Sequence, residues 1–220
     1  MRTLAPIVLL LLAGCGGTAS TALPPTPPPD DYKTQAARNY VDFFRTTDTR
    51  QWEMARDRLL RLGPTAVPVL FEAMEAEGGA VDENCRAVLR SLGADVLPAI
   101  DAEIRKGDGA CTGRALSRRR TFRRSLIAVV GEIKGPAARD ILCRVLQSDP
   151  WPTARWNAAF CLGDRKDPQA ADALIEALRR DSEEPVREAS RRALAVLAGR
   201  DLGDRPEVWE AWRKRPPTAP

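Results

Sequence analysis

The segments Phe122-Arg123 to Val130-Gly131, Ala154-Arg155 to Leu162-Gly163 and Val186-Arg187 to Leu194-Ala195 repeat one pattern at a constant offset, their first positions being 122, 154 and 186. A fixed period of this size constrains the fold more than any bulk property. A single unit is too small to bury its own apolar face, so successive units must stack and complete one another's core. Alignment on Gly63, Gly93, Gly131, Gly163 and Ala195 defines five units at nearly equal steps, with one longer step between Gly93 and Gly131.

Within each unit the apolar spacing is helical. Phe122, Leu126, Val129 and Val130 fall at i, i+4, i+7 and i+8. Ala154, Ala158, Cys161 and Leu162 repeat that face, as do Val186, Ser190, Ala193 and Leu194. The small side chains among them allow close approach between helices of adjacent units. A second helix follows in each unit, with Val67, Leu70, Phe71 and Met74, then Ala138, Ile141, Leu142 and Val145, then Ala171, Leu174, Ile175 and Leu178 at i, i+3, i+4 and i+7. In the second unit Asp101 interrupts Leu97, Ile100 and Ile104. Pro64, Pro136 and Pro168 suit a first helical turn, and Asp167 is placed as an N-cap. The glycines that close the first helices suit a left-handed cap. Tyr32, Ala36, Tyr40 and Phe43 form a stripe ahead of the first unit, while Trp209 and Trp212 can fold over the last.

These rows resemble HEAT-like repeats of the short kind found in bilin-lyase-type proteins, on Val186-Arg187, Ala158-Ala159, Leu162-Gly163 and the run Ala66-Val67 to Ala73-Met74. Ankyrin and tetratricopeptide arrays have similar periods, but their signature lines are absent. The fold expected is all-α: a right-handed, armadillo-like α-solenoid of about five helix pairs with capping helices. Repeats would occupy 50–202, an N-terminal cap 31–49 and a C-terminal cap and tail 203–220.

Ahead of the repeats, Met1-Arg2, an apolar run over 4–12 and the closing Leu12-Ala13-Gly14-Cys15 resemble the signal and lipobox of bacterial lipoproteins. The resemblance implies a signal peptide over 1–14, lipidation of Cys15, and a Pro-rich tether over 15–30. Gly16, standing where an Asp would retain a lipoprotein at the inner membrane, points to the outer membrane and a periplasm-facing chain in the cell envelope.

Four further cysteines remain: Cys85, Cys111, Cys143 and Cys161. In an oxidising compartment an even number permits two disulfides, most locally Cys85 with Cys111 and Cys143 with Cys161. Buried free thiols are the alternative, since Cys143 and Cys161 lie in apolar rows. The chain has no histidine, which removes histidine-based catalysis and weakens any metal site. No phosphate-binding loop, dinucleotide fingerprint or nucleophile elbow is present, so neither catalytic residues nor a cofactor nor a metal are expected. A net charge of +4 is too small to argue for nucleic acid.

One local cluster stands out. The insert that lengthens the second step reads as a loop over 107–120 and carries Arg114, Arg118, Arg119 and Arg120, followed by Arg123 and Arg124. Such arginines suit phosphate or carboxylate recognition. Arg123 also matches Arg155 and Arg187 in the repeat, a position that suits a structural polar ladder. Exposed positions on the second helices, Glu72, Glu75, Arg144, Glu176 and Arg179, complete the partner-binding candidates. The resulting expectation is a lipid-anchored, non-catalytic scaffold holding a protein or envelope component on the concave face. Its alternatives are a lyase-like or modifying enzyme on the same scaffold, or a structural envelope protein.

Overall fold

A computed structural model describes residues 29–214, and every described element is helical. The signal segment, Cys15 and the tail beyond Lys214 lie outside the described residues. Helix α1 (Pro29–Asp42) precedes five pairs: α2 (Thr49–Leu62) with α3 (Val67–Glu77), α4 (Gly79–Leu92) with α5 (Leu97–Arg105), α6 (Gly113–Glu132) with α7 (Pro136–Ser148), α8 (Pro152–Arg165) with α9 (Ala171–Arg180), and α10 (Glu184–Ala198) with α11 (Pro206–Lys214). The first helices contact one another in the order α2, α4, α6, α8, α10. On the other side α7 packs on α5 and α9, α9 on α11, and α1 on α3. The segment read as a C-terminal cap is thus the second helix of the fifth pair. Trp209 is its fully buried anchor and donates from its indole to the Gly203 carbonyl at 2.8 Å.

The apolar rows face inward as the periodicity requires. Leu126, Leu162 and Leu194 are completely buried, with Leu70, Leu142 and Leu174 opposite them in the second helices. Asp101 does not break its row, because Leu97, Ile100 and Ile104 are buried while the carboxylate turns to Arg144 and Arg105.

Four local expectations are corrected. Gly63 and Gly93 do end their helices at φ 62 and 68, but Gly131 and Gly163 are helical. Their role is close approach: a methyl group on Gly131 would meet the Cys161 side chain, and one on Gly163 would meet Ala193. Along α1 and the short 3-10 turn that follows it, Phe43–Arg45, the buried face is Ala37, Val41 and Phe44, one position on from the expected stripe, and Tyr32 is 72% exposed. The arginine run is no loop, since α6 begins at Gly113 and passes straight through it; arginine, alanine and leucine are good helix formers and the run contains no proline. Finally, Cys85, Cys111, Cys143 and Cys161 are all free. Cys161 sits in the first-helix row with its thiol toward the Ile127 carbonyl of α6, at 3.9 Å, while Cys143 lies in α7.

Candidate functional site

The polar architecture is built on the repeat's own arginine. Arg155, in the first turn of α8, donates from Nε and Nη2 to the two Asp181 oxygens at 2.7 and 2.9 Å, and from Nη1 to the Asp149 carbonyl at 2.8 Å. Arg187 repeats the backbone contact one unit on, donating to the Asp181 carbonyl at 2.7 Å. Arg123, fully buried, is held by Asp108 at 2.6 Å and by Asp149. Asp149 and Asp181 follow α7 and α9 directly and also accept the amides of Trp151 and Glu183, at 2.9 and 3.0 Å. Each aspartate therefore closes one turn and ties two units together. Burial works against ionisation of Asp181. The Arg155 hydrogen bond, the Glu183 amide and the neighbouring arginine charges outweigh it and hold the carboxyl below its ordinary range.

The arginine cluster divides in two. Arg119 is buried: it binds the Glu103 carboxylate at 2.6 Å and the carbonyls of Glu103 and Gly107 at 2.9 and 3.0 Å, closing the end of α5. It also lies 3.7 Å from Glu75. Arg120 is committed to Asp108 at 2.9 Å and lies over the Trp151 ring. Arg114, Arg118 and Arg124 are exposed on α6, and none is ion-paired among the described residues. The second-helix candidates are likewise engaged in ion pairs, most with a neighbouring helix and Glu176 within its own. Glu72 meets Arg38 at 3.3 Å, Arg144 meets Asp101, Arg179 meets Glu210 at 2.7 Å, and Glu176 meets Arg180 at 3.0 Å. They staple the row, so a partner at these positions would exchange an existing ion pair for a new one.

Two open grooves border the second helices. One, of about 490 Å³, lies among α3, α5 and α6 and is floored by Val67, Phe71 and Phe122, with Glu72, Glu75 and Glu103 around it. The other, of about 570 Å³, runs between α7 and α9 beside Asp149, Arg155 and Asp181. The thiols are ill-suited to nucleophilic work at neutral pH: burial pushes Cys143 up to about 11 and Cys161 up to about 12, and raises Cys85 further. Among the described residues no group of three or more His, Cys, Asp or Glu side chains is placed to hold a metal ion. No described helix is long and apolar enough to cross a membrane.

Residues 115–195 match the family profile of HEAT repeats. That stretch runs from α6 into α10 and takes in Arg123, Arg155 and Arg187 together with Asp149 and Asp181. No curated protein sequence matches the chain. A solved structure similar to it is the complex of CpcE and CpcF of phycocyanin lyase from a Nostoc species, with a TM-score of 0.40 and 18% identity over 72% of this chain and 98% of that one. The expectation that the chain is not an enzyme is withdrawn: the complex it is similar to is named a lyase, a likeness that itself assigns no activity to this chain.

Two functional features escaped the sequence reading. The aspartates that complete the ladder, Asp149 and Asp181, are themselves one period apart and stand six positions before Arg155 and Arg187, so the repeat announced them. The exposed aromatic pair Trp156 and Phe160 was also legible, because both residues fall outside the buried row Ala154, Ala158, Cys161 and Leu162.

Proposed function

We propose that this chain is a partner-binding HEAT-repeat protein of the cell envelope, tethered through Cys15, which takes a segment of a protein partner along its second helices. The observation that carries the reading is the groove among α3, α5 and α6. It offers an apolar floor at Phe71 and Phe122 beside the rim carboxylates Glu72 and Glu75, and it is open enough for an extended or helical segment rather than an enclosed small molecule. Tethering at a membrane would raise the effective concentration for partners on the same surface. A photo-crosslinking residue at Glu72, used on intact cells and followed by mass spectrometry, should capture one dominant protein neighbour. Capture of nothing at Glu72 and at Glu176 alike would refute the reading.

Lyase-type modification of a protein partner is the second reading, suggested by the name of the complex the chain is similar to. Such chemistry would draw on the groove carboxylates and arginines, since burial keeps the thiols protonated. The intact mass of the captured partner, with and without this chain, distinguishes the two: a reproducible mass change supports modification, and an unchanged mass supports holding alone.

A further inference from the structure

Five large apolar side chains are exposed among the described residues, and three of them share one patch: Trp156 at 39%, Phe160 at 53% and Val196 at 48%. Single exposed hydrophobic residues need no explanation, but a cluster does. Trp156 and Phe160 stand one turn apart on α8 with their rings stacked, centroids 5.8 Å apart and planes 15° from parallel. Val196 of α10 faces them across a shallow dip of about 190 Å³ floored by Gly163 and Ala193. The patch lies on the outer side of the first helices, away from the second-helix grooves.

The patch continues into a basic surface. Thr153, one turn before Trp156 on α8, lines a depression of about 310 Å³ together with Ser117, Thr121 and Arg124 of α6. Arg124 lines that depression, Arg114 and Arg118 are exposed further round the same helix, and none of the three carries an ion pair among the described residues. Of the carboxylates nearby, Glu188 is already held by Arg191 and Arg192, which leaves Asp164 as the acid lining the dip. The face therefore joins an aromatic centre to a surplus of positive charge.

We propose that this outer face of α6, α8 and α10 lies against an anionic lipid surface. Trp156 and Phe160 would enter the headgroup layer, and Arg114, Arg118 and Arg124 would meet lipid phosphates. Aromatic side chains with a polar edge settle at this depth, and arginines near a bilayer are drawn by its negative surface potential. The apolar part is small: half-exposed side chains of this size offer roughly 300 Å², against ~800 Å² per partner in a stable protein interface, and the rest of the face is cationic, which suits an anionic headgroup layer. The proposal deepens the envelope reading by assigning the side that faces lipid, which leaves the second-helix row free for a partner.

The test is depth-dependent quenching in the full chain incorporated into vesicles. Phosphatidylglycerol mixed with phosphatidylcholine brominated on its acyl chains supplies the probe, and subtracting the Trp156→Phe spectrum isolates Trp156 from the other four tryptophans. Trp156 emission should shift to the blue and fall about twofold or more, and should do neither in vesicles of brominated phosphatidylcholine alone. Replacing Arg114, Arg118 and Arg124 together by Gln should lower the docking constant about a hundredfold, each contributing a factor of about five, so that quenching is lost at an unchanged melting temperature. Unquenched Trp156 in anionic vesicles that carry the chain overturns the proposal. So does quenching that survives the triple substitution, or crosslinking of Phe160 to a protein in place of lipid. Capture at Glu72 reads the other face, so either proposal can fail while the other stands.

Discussion

Gly131→Ala tests the packing of the array most directly. Gly131 lies inside α6, where alanine is intrinsically the better residue by about 0.5–1 kcal/mol, so an argument from helix propensity alone expects stabilisation. The contact across to α8 reverses the sign. A methyl group at 131 would stand 2.7 Å from Sγ and 2.9 Å from Cβ of Cys161. Rotation of the thiol relieves the first distance, but the Cβ moves only if α8 itself shifts. Forcing a methyl group into a filled interior costs typically ~1–3 kcal/mol, and after the propensity gain a net loss of about 1–2 kcal/mol remains. For a domain of this length that is a fall in melting temperature of roughly 2–8 °C, read by far-ultraviolet circular dichroism. Cys161→Gly removes both clashing atoms, so in that background Gly131→Ala should no longer destabilise, and a double-mutant cycle should show a coupling of ~1–3 kcal/mol. A higher melting temperature for Gly131→Ala alone, or additivity within about 0.3–0.5 kcal/mol, would refute the reasoning.

The other expectations concern the ladder, its titration and the thiols. Asp181→Asn leaves Arg155 facing a neutral amide in a nearly buried pair and should cost about 2–4 kcal/mol in urea unfolding, far more than Glu72→Gln, whose ion pair with Arg38 is exposed. Asp108, Glu103 and Asp181 all have folded-state values held below the ordinary carboxylate range, each against the opposing effect of burial, by hydrogen bonds to arginine or lysine. Glu188 is pulled down to about 2, chiefly by its hydrogen bond to Arg191. A depressed folded-state value stabilises above the unfolded value and is lost as pH falls through the folded one. Stability should therefore be flat from pH 7 to about 5 and decline below ~4, with a shallower decline in Asp181→Asn. Thiol labelling of the folded chain should modify Cys143 before Cys161 and Cys161 before Cys85, following burial and the rise in each thiol's pKa; a titre below four for 85, 111, 143 and 161 together would indicate a disulfide and contradict the free thiols of the fold.

How far the fold is legible in the chain depends on which residues are asked. The buried rows are legible because a helix that recurs at a fixed period must present the same face each time, and Leu126, Leu162 and Leu194 do so. Glycine is ambiguous because it serves two physical needs. Gly63 and Gly93 take positive φ, whereas Gly131 and Gly163 supply a missing side chain. What tells them apart is what each must clear: Gly131 and Gly163 face Cys161 and Ala193, equivalent positions in the next unit along, so the packing partner is itself a repeat position. The arginine insert misleads for a related reason. Charge density suggests a solvated loop, yet Arg119 and Arg123 are buried because Glu103, Asp108 and Asp149 come to meet them, and only Asp149 lies on the period. Asp108 belongs to the insert, where no repeat constrains it, and its pairing is visible only once α5 and α6 are set side by side.

The ladder and the surfaces are linked by the same logic. A buried arginine is tolerable only when its charge and its donors are met, and the third and fourth units meet them with the aspartate that follows their second helix. Such a fork fixes the first helix of a unit against its second, because it cannot turn without losing a bond, and the remaining donor, on the carbonyl of the preceding unit's aspartate, ties that unit to its neighbour. Rotation in turn decides which residues of α6, α8 and α10 share the outer face. Arg124 and Thr153 line one depression, and Arg123 and Arg155, which directly precede Arg124 and Trp156 in the same helices, are locked to Asp149 and Asp181. Loosening the ladder at Asp181 should consequently reach the outer face without touching it. In Asp181→Asn the Trp156 emission should lose its response to anionic vesicles at temperatures where the helices remain folded, while the groove at Glu72, three units away, keeps its partner. Equal loss at both faces would mean that the units communicate along the whole array and not merely with their neighbours.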